Sequence, residues 1–290
     1  MIKYSVPFLI TELHQIPAGL LKKNNLFLEG TIFDCKQLEN KKNRDLILRN
    51  ISAVNDKYKG KLIALHFPTE NANYLDSPII QQKLIDFINV ADSFGIEKVV
   101  LHSNYIQKED VYDKNKLESI RKKFNTFFKK LDKFLEDKKT IVCIENMPII
   151  GNDGTDFDSI FVFPQDFSDL KYKNIKITWD IGHWAYTFYF IETLSDISPL
   201  VKTDRIRFDD FSSLKKQIAH FHFSSFKKMN NVCQEGVCPQ YGDFDQKTLG
   251  EIIKKINSDW SDTYMTLEIG EKDYTKRINL KKTLDWIKAI

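Results

Sequence analysis

The sequence predicts an α/β chain folded as a (β/α)8 TIM barrel, and three observations carry that reading. Eight short runs rich in Val, Ile, Leu, Phe and Tyr alternate with longer amphipathic stretches from one end to the other. The runs lack strict polar–apolar alternation, as expected of parallel strands buried on both faces. A doubly wound open sheet would carry a glycine-rich phosphate turn after its first strand. Among the 11 glycines there is no GxGxxG and no GxxxxGK followed by Ser or Thr.

The expected strands, in order, are Tyr4–Leu9, Leu26–Phe33, Leu62–His66, Val99–His102, Thr140–Glu145, Ile175–Asp180, Ile218–His222 and Tyr264–Glu268. Between the third and fourth, Ser77-Pro78 supplies an N-cap and a proline at the first helical position, and Gly95 can close the helix. Between the fourth and fifth, Leu117, Ile120, Phe124, Phe127, Phe128, Leu131, Phe134 and Leu135 recur at the three-four spacing of one buried helix face, with lysines opposite. Such a stripe reads as packing against a barrel. The lysine runs here and at Lys254–Lys255 read as solvated faces. The longest irregular piece, residues 147–164, is either a lid over a site or an ordered loop. No internal repeat, low-complexity linker or composition shift divides the chain, so residues 1–290 are expected to form a single barrel domain.

Composition sets the outer limits. Hydrophobic residues make up 42% of 290 residues, which excludes wholesale disorder. Forty-three basic against 40 acidic residues give a net charge of +3, too small a total to demand a nucleic-acid partner. No apolar stretch approaches the roughly 20 residues of a membrane span. The start, MIKYSVPFLI, is broken by Thr11, Glu12 and His14 and does not resemble a signal peptide. Four cysteines in so long a chain argue against a disulfide framework. A cytoplasmic protein is the expectation.

The ends of the strands hold the chemistry. His66 ends the third, His102 the fourth and His222 the seventh, while His183 lies three residues past the sixth. Glu145 closes the fifth strand, Asp180 the sixth and Glu268 the eighth. In a barrel of this kind the strand C-termini converge on one mouth, so these imidazoles and carboxylates should meet. Ionisable groups in such apolar surroundings are costly to bury unless paired or coordinated. A mixed nitrogen and oxygen donor set suits Zn2+, Mn2+, Co2+ or Fe2+. His220 shares the inward side of its strand with His222 and is either a substrate contact or a packed neighbour of the site. Trp184 and Tyr186 either wall the site or pack in the core.

As a set, ALHF, VLHS, IEN, DIGH, HFH and LE on successive strands resemble the xylose isomerase-like TIM barrels, a superfamily that includes endonuclease IV and many sugar isomerases and epimerases. The resemblance implies a divalent ion, Zn2+ or Mn2+ foremost, held by Glu145, Asp180, His222 and Glu268. It implies a second ion on His66, His102 and Glu145 in members like endonuclease IV. Glu145 and Glu268 would be the catalytic carboxylates, and His183, Lys227 and His220 would contact substrate. Asn146 would orient its neighbour Glu145 or a loop.

Two departures separate the chain from endonuclease IV. Where that enzyme completes a third metal site, this chain reads GVCPQYGDFD, which leaves His183 and Cys238, with Cys233 or Glu235 nearby, as a possible substitute; the plain reading is a solvent loop. The Gly-x-His-x-Ser signature of its first strand is replaced by YSVPFL. The expected function is therefore a metal-dependent isomerase or epimerase of a sugar, polyol or sugar phosphate, with one or two ions per chain. The alternative is a dinuclear phosphodiesterase or abasic-site endonuclease, the only reading with a nucleic-acid partner. A homodimer is an open possibility for either.

Overall fold

The computed structural model describes residues 2–103, 106–107, 114–148, 156–157, 160–193, 211–229 and 232–290. Eight parallel strands close into a barrel: β1 (Lys3–Leu9), β2 (Phe27–Thr31), β3 (Leu62–His66), β4 (Lys98–Leu101), β5 (Ile141–Glu145), β6 (Ile175–Asp180), β7 (Ile218–Phe223) and β8 (Tyr264–Leu267). Each pairs with its neighbours in sequence, and β8 returns to β1 through Lys3↔Tyr264, Tyr4↔Met265 and Ser5↔Thr266. The fold is the (β/α)8 barrel that the alternation of runs predicts.

Helices α1 (Ala18–Asn24), α2 (Lys41–Lys57), α3 (Pro78–Ser93), α4 (Lys114–Phe134), α5 (Ile181–Thr193), α6 (Gln246–Asp259) and α7 (Ile278–Ala289) cover the outside of the sheet. The Ser77 hydroxyl caps α3 by accepting from the amide of Ile80, and Gly95 follows it at φ +68°. On α4 the predicted stripe faces inward: Phe124, Phe128, Leu131 and Leu135 are buried, and Ile120, Phe127 and Phe134 are packed at its margins.

Two antiparallel ribbons lie outside the barrel sheet. Ser225–Met229 pairs with Val232–Val237 directly after β7, and Ile106–Gln107 pairs with Asp156–Phe157. Much of the 147–164 loop, and with it the choice between lid and ordered loop, lies outside the described residues. Cys35, Cys143 and Cys238 are free and buried, and burial pushes the Cys143 thiol up to about 12. Among the described residues no helix is long and apolar enough to cross a membrane.

Packing between sheet and helices is aromatic. Trp179, on the outward side of β6, stacks on Phe211 at 4.7 Å between centroids and meets the edge of Phe167 at 6.0 Å. Trp184 and Tyr186 belong to this layer and not to the mouth. Trp184 stacks on Phe188 and meets Phe211 and Phe244 edge-on, and Tyr186 packs on Phe226. Truncating a fully buried indole leaves a cavity that the rigid strand cannot close. Trp179→Ala is therefore expected to lower unfolding stability by about 3–5 kcal/mol. The shift of the urea midpoint measures this; a change under about 1 kcal/mol would contradict the packing.

Candidate metal centre

The strand ends bring the sequence-predicted groups together at the C-terminal mouth. Ligand atoms of Glu145, Asp180, His222 and Glu268 all lie within 4.8 Å of one another, as do those of His66, Glu145 and His222. Glu145 is the hub. Its Oε2 is 3.3 Å from His66 Nε2 and 3.1 Å from His102 Nε2, while its Oε1 is 3.1 Å from His222 Nδ1 and 3.5 Å from His183 Nδ1. Glu268 Oε1 also comes to 3.4 Å and Asp180 Oδ2 to 3.9 Å of His222 Nδ1.

Local structure explains how these groups are aimed. Asp180 ends β6 and begins α5, and its Oδ1 accepts the amide of His183 at 2.6 Å, which caps the helix and leaves Oδ2 for the site. Gly182 makes this turn possible. A side chain there would come within 2.6 Å of Ser224 Oγ and 3.1 Å of Asp180 Oδ1. Asn146 locks the other side: its Nδ2 donates to the Asp180 carbonyl, its Oδ1 accepts the Asp180 amide, and its own carbonyl accepts from His183 Nδ1. Of the two roles the sequence left open for Asn146, the bonds are those to the chain: it holds the turn at Asp180 and the ring of His183.

Carbonyl oxygens only accept, so they fix the histidine tautomers. His66 donates from Nδ1 to the Phe67 carbonyl at 2.8 Å, and His183 from Nδ1 to that of Asn146 at 2.8 Å. Their Nε2 atoms are left to face the site. His102 Nδ1 is buried with no hydrogen-bond partner.

The electrostatics are those of a cation site. Burial, together with the charges of Glu145 and Glu268, pushes the Asp180 carboxyl up to about 7 against the pull of His183. Burial opposes the charge on Glu145 too, but the neighbouring His222 and His102 imidazoles hold it well below the usual carboxylate range. Despite burial, Glu145, Glu268 and Glu29 hold the His222 imidazole well above its ordinary value. Three acidic groups crowded around one imidazole nitrogen relieve their repulsion when a divalent cation sits among them, and this donor set fits Zn2+ or Mn2+.

The remaining candidates are placed differently. His220 is fully buried below the mouth and donates from Nε2 to Glu29 at 2.9 Å. It has no access to a substrate at the mouth and is a packed neighbour of the site. Lys227 is exposed on the ribbon after β7, opposite Gln234. Cys238 does not join His183: its thiol turns toward the carbonyl of Asn279 on α7, 3.5 Å away. The group that does face His183 is Glu235 of the same ribbon, with Oε2 at 3.6 Å from Nε2. Gly236, in left-handed backbone at φ +74°, follows it in the turn of chain that lies against Gly270.

One buried acid escaped the search of strand ends. Glu29 sits in the middle of β2, fully buried, and lies 3.2 Å from His222 Nε2. Its signal was available in the run LFLEGTIF, a lone glutamate inside an otherwise apolar strand.

Solved structures share this architecture. The zinc-bound IOLI protein aligns over 99% of this chain and 96% of its own at TM-score 0.64 and 14% identity. The 3-keto-D-glucoside 4-epimerase YcjR of E. coli aligns over all of both chains at TM-score 0.63 and 13% identity. Endonuclease IV of Thermus thermophilus aligns over 99% of this chain and 100% of its own at TM-score 0.57 and 13% identity. At these identities the likeness is one of fold. No curated protein matches the sequence. The model of the xylose isomerase-like TIM barrel matches residues 42–290, and the chain belongs to that family.

Proposed function

We propose that the protein is a divalent-metal-dependent isomerase or epimerase acting on a sugar, polyol or sugar phosphate. The observation that carries this reading is the convergence of Glu145, Asp180, His222 and Glu268 within 4.8 Å at the barrel mouth. These four would hold one ion, Zn2+ or Mn2+. When bound, the ion polarises a carbonyl and hydroxyl pair of the substrate.

The protein's own groups supply the proton movement. Inverting a carbon next to a carbonyl takes a proton from one face and returns one to the other, which two acid–base groups on opposite faces can do; moving a proton between adjacent carbons can use one such group. Glu145 lies at the floor with its side chain 1% exposed, whereas that of Glu268 is 31% exposed toward the mouth. Both approach His222 Nδ1, at 3.1 Å and 3.4 Å, one acid–base group deep and one accessible. His183, held by Asn146 and faced by Glu235, binds a substrate hydroxyl. The epimerase among the structural neighbours supports this class of reaction.

A second reading has its own observation. His66 and His102 place both Nε2 atoms within 3.3 Å of the same Glu145 oxygen, and of these His66 joins Glu145 and His222 in a second mutually close donor set, which would share Glu145 with the first. Two ions sharing a carboxylate suit phosphodiester cleavage, as in an enzyme like endonuclease IV. Elemental analysis of the purified protein, with His66→Ala alongside, separates the two. One ion per chain, unchanged by His66→Ala, together with deuterium uptake from D2O into members of a sugar library, is the expected result. Two ions, one of them lost in His66→Ala, with cleavage of bis-p-nitrophenyl phosphate and no deuterium uptake, would replace it with the phosphodiesterase. No bound metal after reconstitution would sink both.

A further inference from the structure

Glu29 is a carboxylate fully buried inside the barrel, and among the described residues no lysine or arginine is bonded to it. An anion in that position is costly to bury unless it is compensated. One half of the compensation is a relay of hydroxyls and imidazole. Glu29 Oε2 accepts from Thr266 Oγ1 at 2.6 Å and from His220 Nε2 at 2.9 Å. Because the Thr266 proton is used on Glu29, the 2.8 Å contact between Ser5 and Thr266 is donated by Ser5. Four strands, β1, β2, β7 and β8, thereby pin the carboxylate by one of its oxygens.

The other oxygen is left to His222. Glu29 Oε1 and His222 Nε2 stand 3.2 Å apart, and the contact is too bent for a full hydrogen bond. Neither atom has any other hydrogen-bond partner, and both are shut off from solvent. On the opposite edge of the ring, Nδ1 is hydrogen-bonded to Glu145 at 3.1 Å and faces Glu268 at 3.4 Å, and an ion at the mouth would take the place of the Nδ1 proton. The imidazole is therefore a bridge between a buried acid below and the metal-site acids above. The register of β2 on β3 shifts between Leu28 and Glu29, an irregularity of the kind that re-aims a side chain next to a site. Glu29, His220 and His222 are close enough together to suggest an ion of their own. The direct bonds from Thr266 and His220 already occupy Oε2, so Glu29 acts as a support.

We propose that Glu29 is the positioning residue of the metal centre: it holds the proton of His222 on Nε2, so that the Nδ1 lone pair is presented to the ion. The inference rests on the metal-site reading above. Carboxylate, imidazole and metal in series is a recurrent arrangement, and loss of the supporting acid lowers metal affinity by about 10–100-fold.

Glu29→Gln tests it sharply. With its carbonyl oxygen taking the protons of Thr266 and His220, the new amide turns its NH2 toward His222. Nε2 must then accept, and the ring proton moves to Nδ1, where it blocks the ion. The expected result is a zinc affinity lowered by about 10–100-fold in chelator competition. Nitrogen-15 NMR of the labelled histidines, read with zinc present, should show His222 as the Nε2–H form with zinc on Nδ1 in the wild type, and the loss of that form in Glu29→Gln. Equal zinc affinity in wild type and Glu29→Gln, or zinc on Nε2 of His222 in the wild-type protein, would overturn the proposal. The wild-type spectrum decides the case even if the variant does not fold. A wild type that binds no zinc would overturn the metal-site reading and this inference with it, whereas equal binding by both proteins removes only the role of Glu29.

Discussion

Glu145→Gln is expected to empty the metal centre and abolish turnover while the barrel stays folded. Glu145 contributes to both sets of groups able to hold an ion at the mouth, and its oxygens approach His66, His102, His183 and His222. The amide removes the negative charge and turns two N–H donors toward nitrogens that need to present lone pairs. The loss should exceed that of a supporting residue, at least about 100-fold in affinity for Zn2+ or Mn2+. Metal content should fall below about a tenth of the wild-type value, whichever ion count proves right. Far-UV circular dichroism should be unchanged, since the barrel ladder and its aromatic shell do not use the carboxylate. A Glu145→Gln protein that keeps stoichiometric metal would mean that the ion, if any, sits elsewhere.

The barrel was legible because its cause is periodic. Parallel strands buried on both faces must be short and apolar, and the helices that cover them must be amphipathic; both patterns are written locally. The expected β3 and β6 coincide with the observed Leu62–His66 and Ile175–Asp180, and the other strands differ only by a residue or two at their ends. The site was legible for a related reason. Closing the barrel sends every strand C-terminus to one mouth, so the position of Glu145 or His222 on its strand already specifies its neighbours.

What escaped depends on side-chain direction. Glu235 lies on the ribbon after β7 and Cys238 just past its end, three residues on, yet only Glu235 turns to His183, and spacing alone does not tell the two apart. His220 sits on the inward side of β7 as expected, but one layer too low to reach a substrate. Glu29 lay outside the search because it belongs to that lower layer, in mid-strand. Its partners Ser5, Thr266 and His220 come from three other strands, and only the register brings them together.

Metal binding is expected to release protons at neutral pH, and the affinity to fall as the pH falls. In the metal-free protein the Asp180 carboxyl, pushed up to about 7 by burial and by Glu145 and Glu268, is half protonated near neutrality. The His222 imidazole, held well above its ordinary value against burial, is protonated there as well. An ion requires both groups without the competing protons. Each proton displaced makes the apparent affinity fall about tenfold per pH unit on acidification. The signs for stability follow. Asp180 has a folded pKa above its ordinary value of 3.8, so its protonation stabilises the metal-free fold at low pH, and that contribution is lost as the pH rises through about 7. His222, raised likewise, contributes in the same direction, lost as the pH rises through its own elevated value. The metal-free protein should therefore weaken between pH 6 and pH 8 just where the ion binds more tightly. The gap in melting temperature between metal-loaded and metal-free protein should widen over that range. Calorimetric titration of zinc in buffers of different ionisation enthalpy counts the protons, and an affinity that does not change between pH 6 and pH 8 would exclude Asp180 and His222 as the groups that hold the ion.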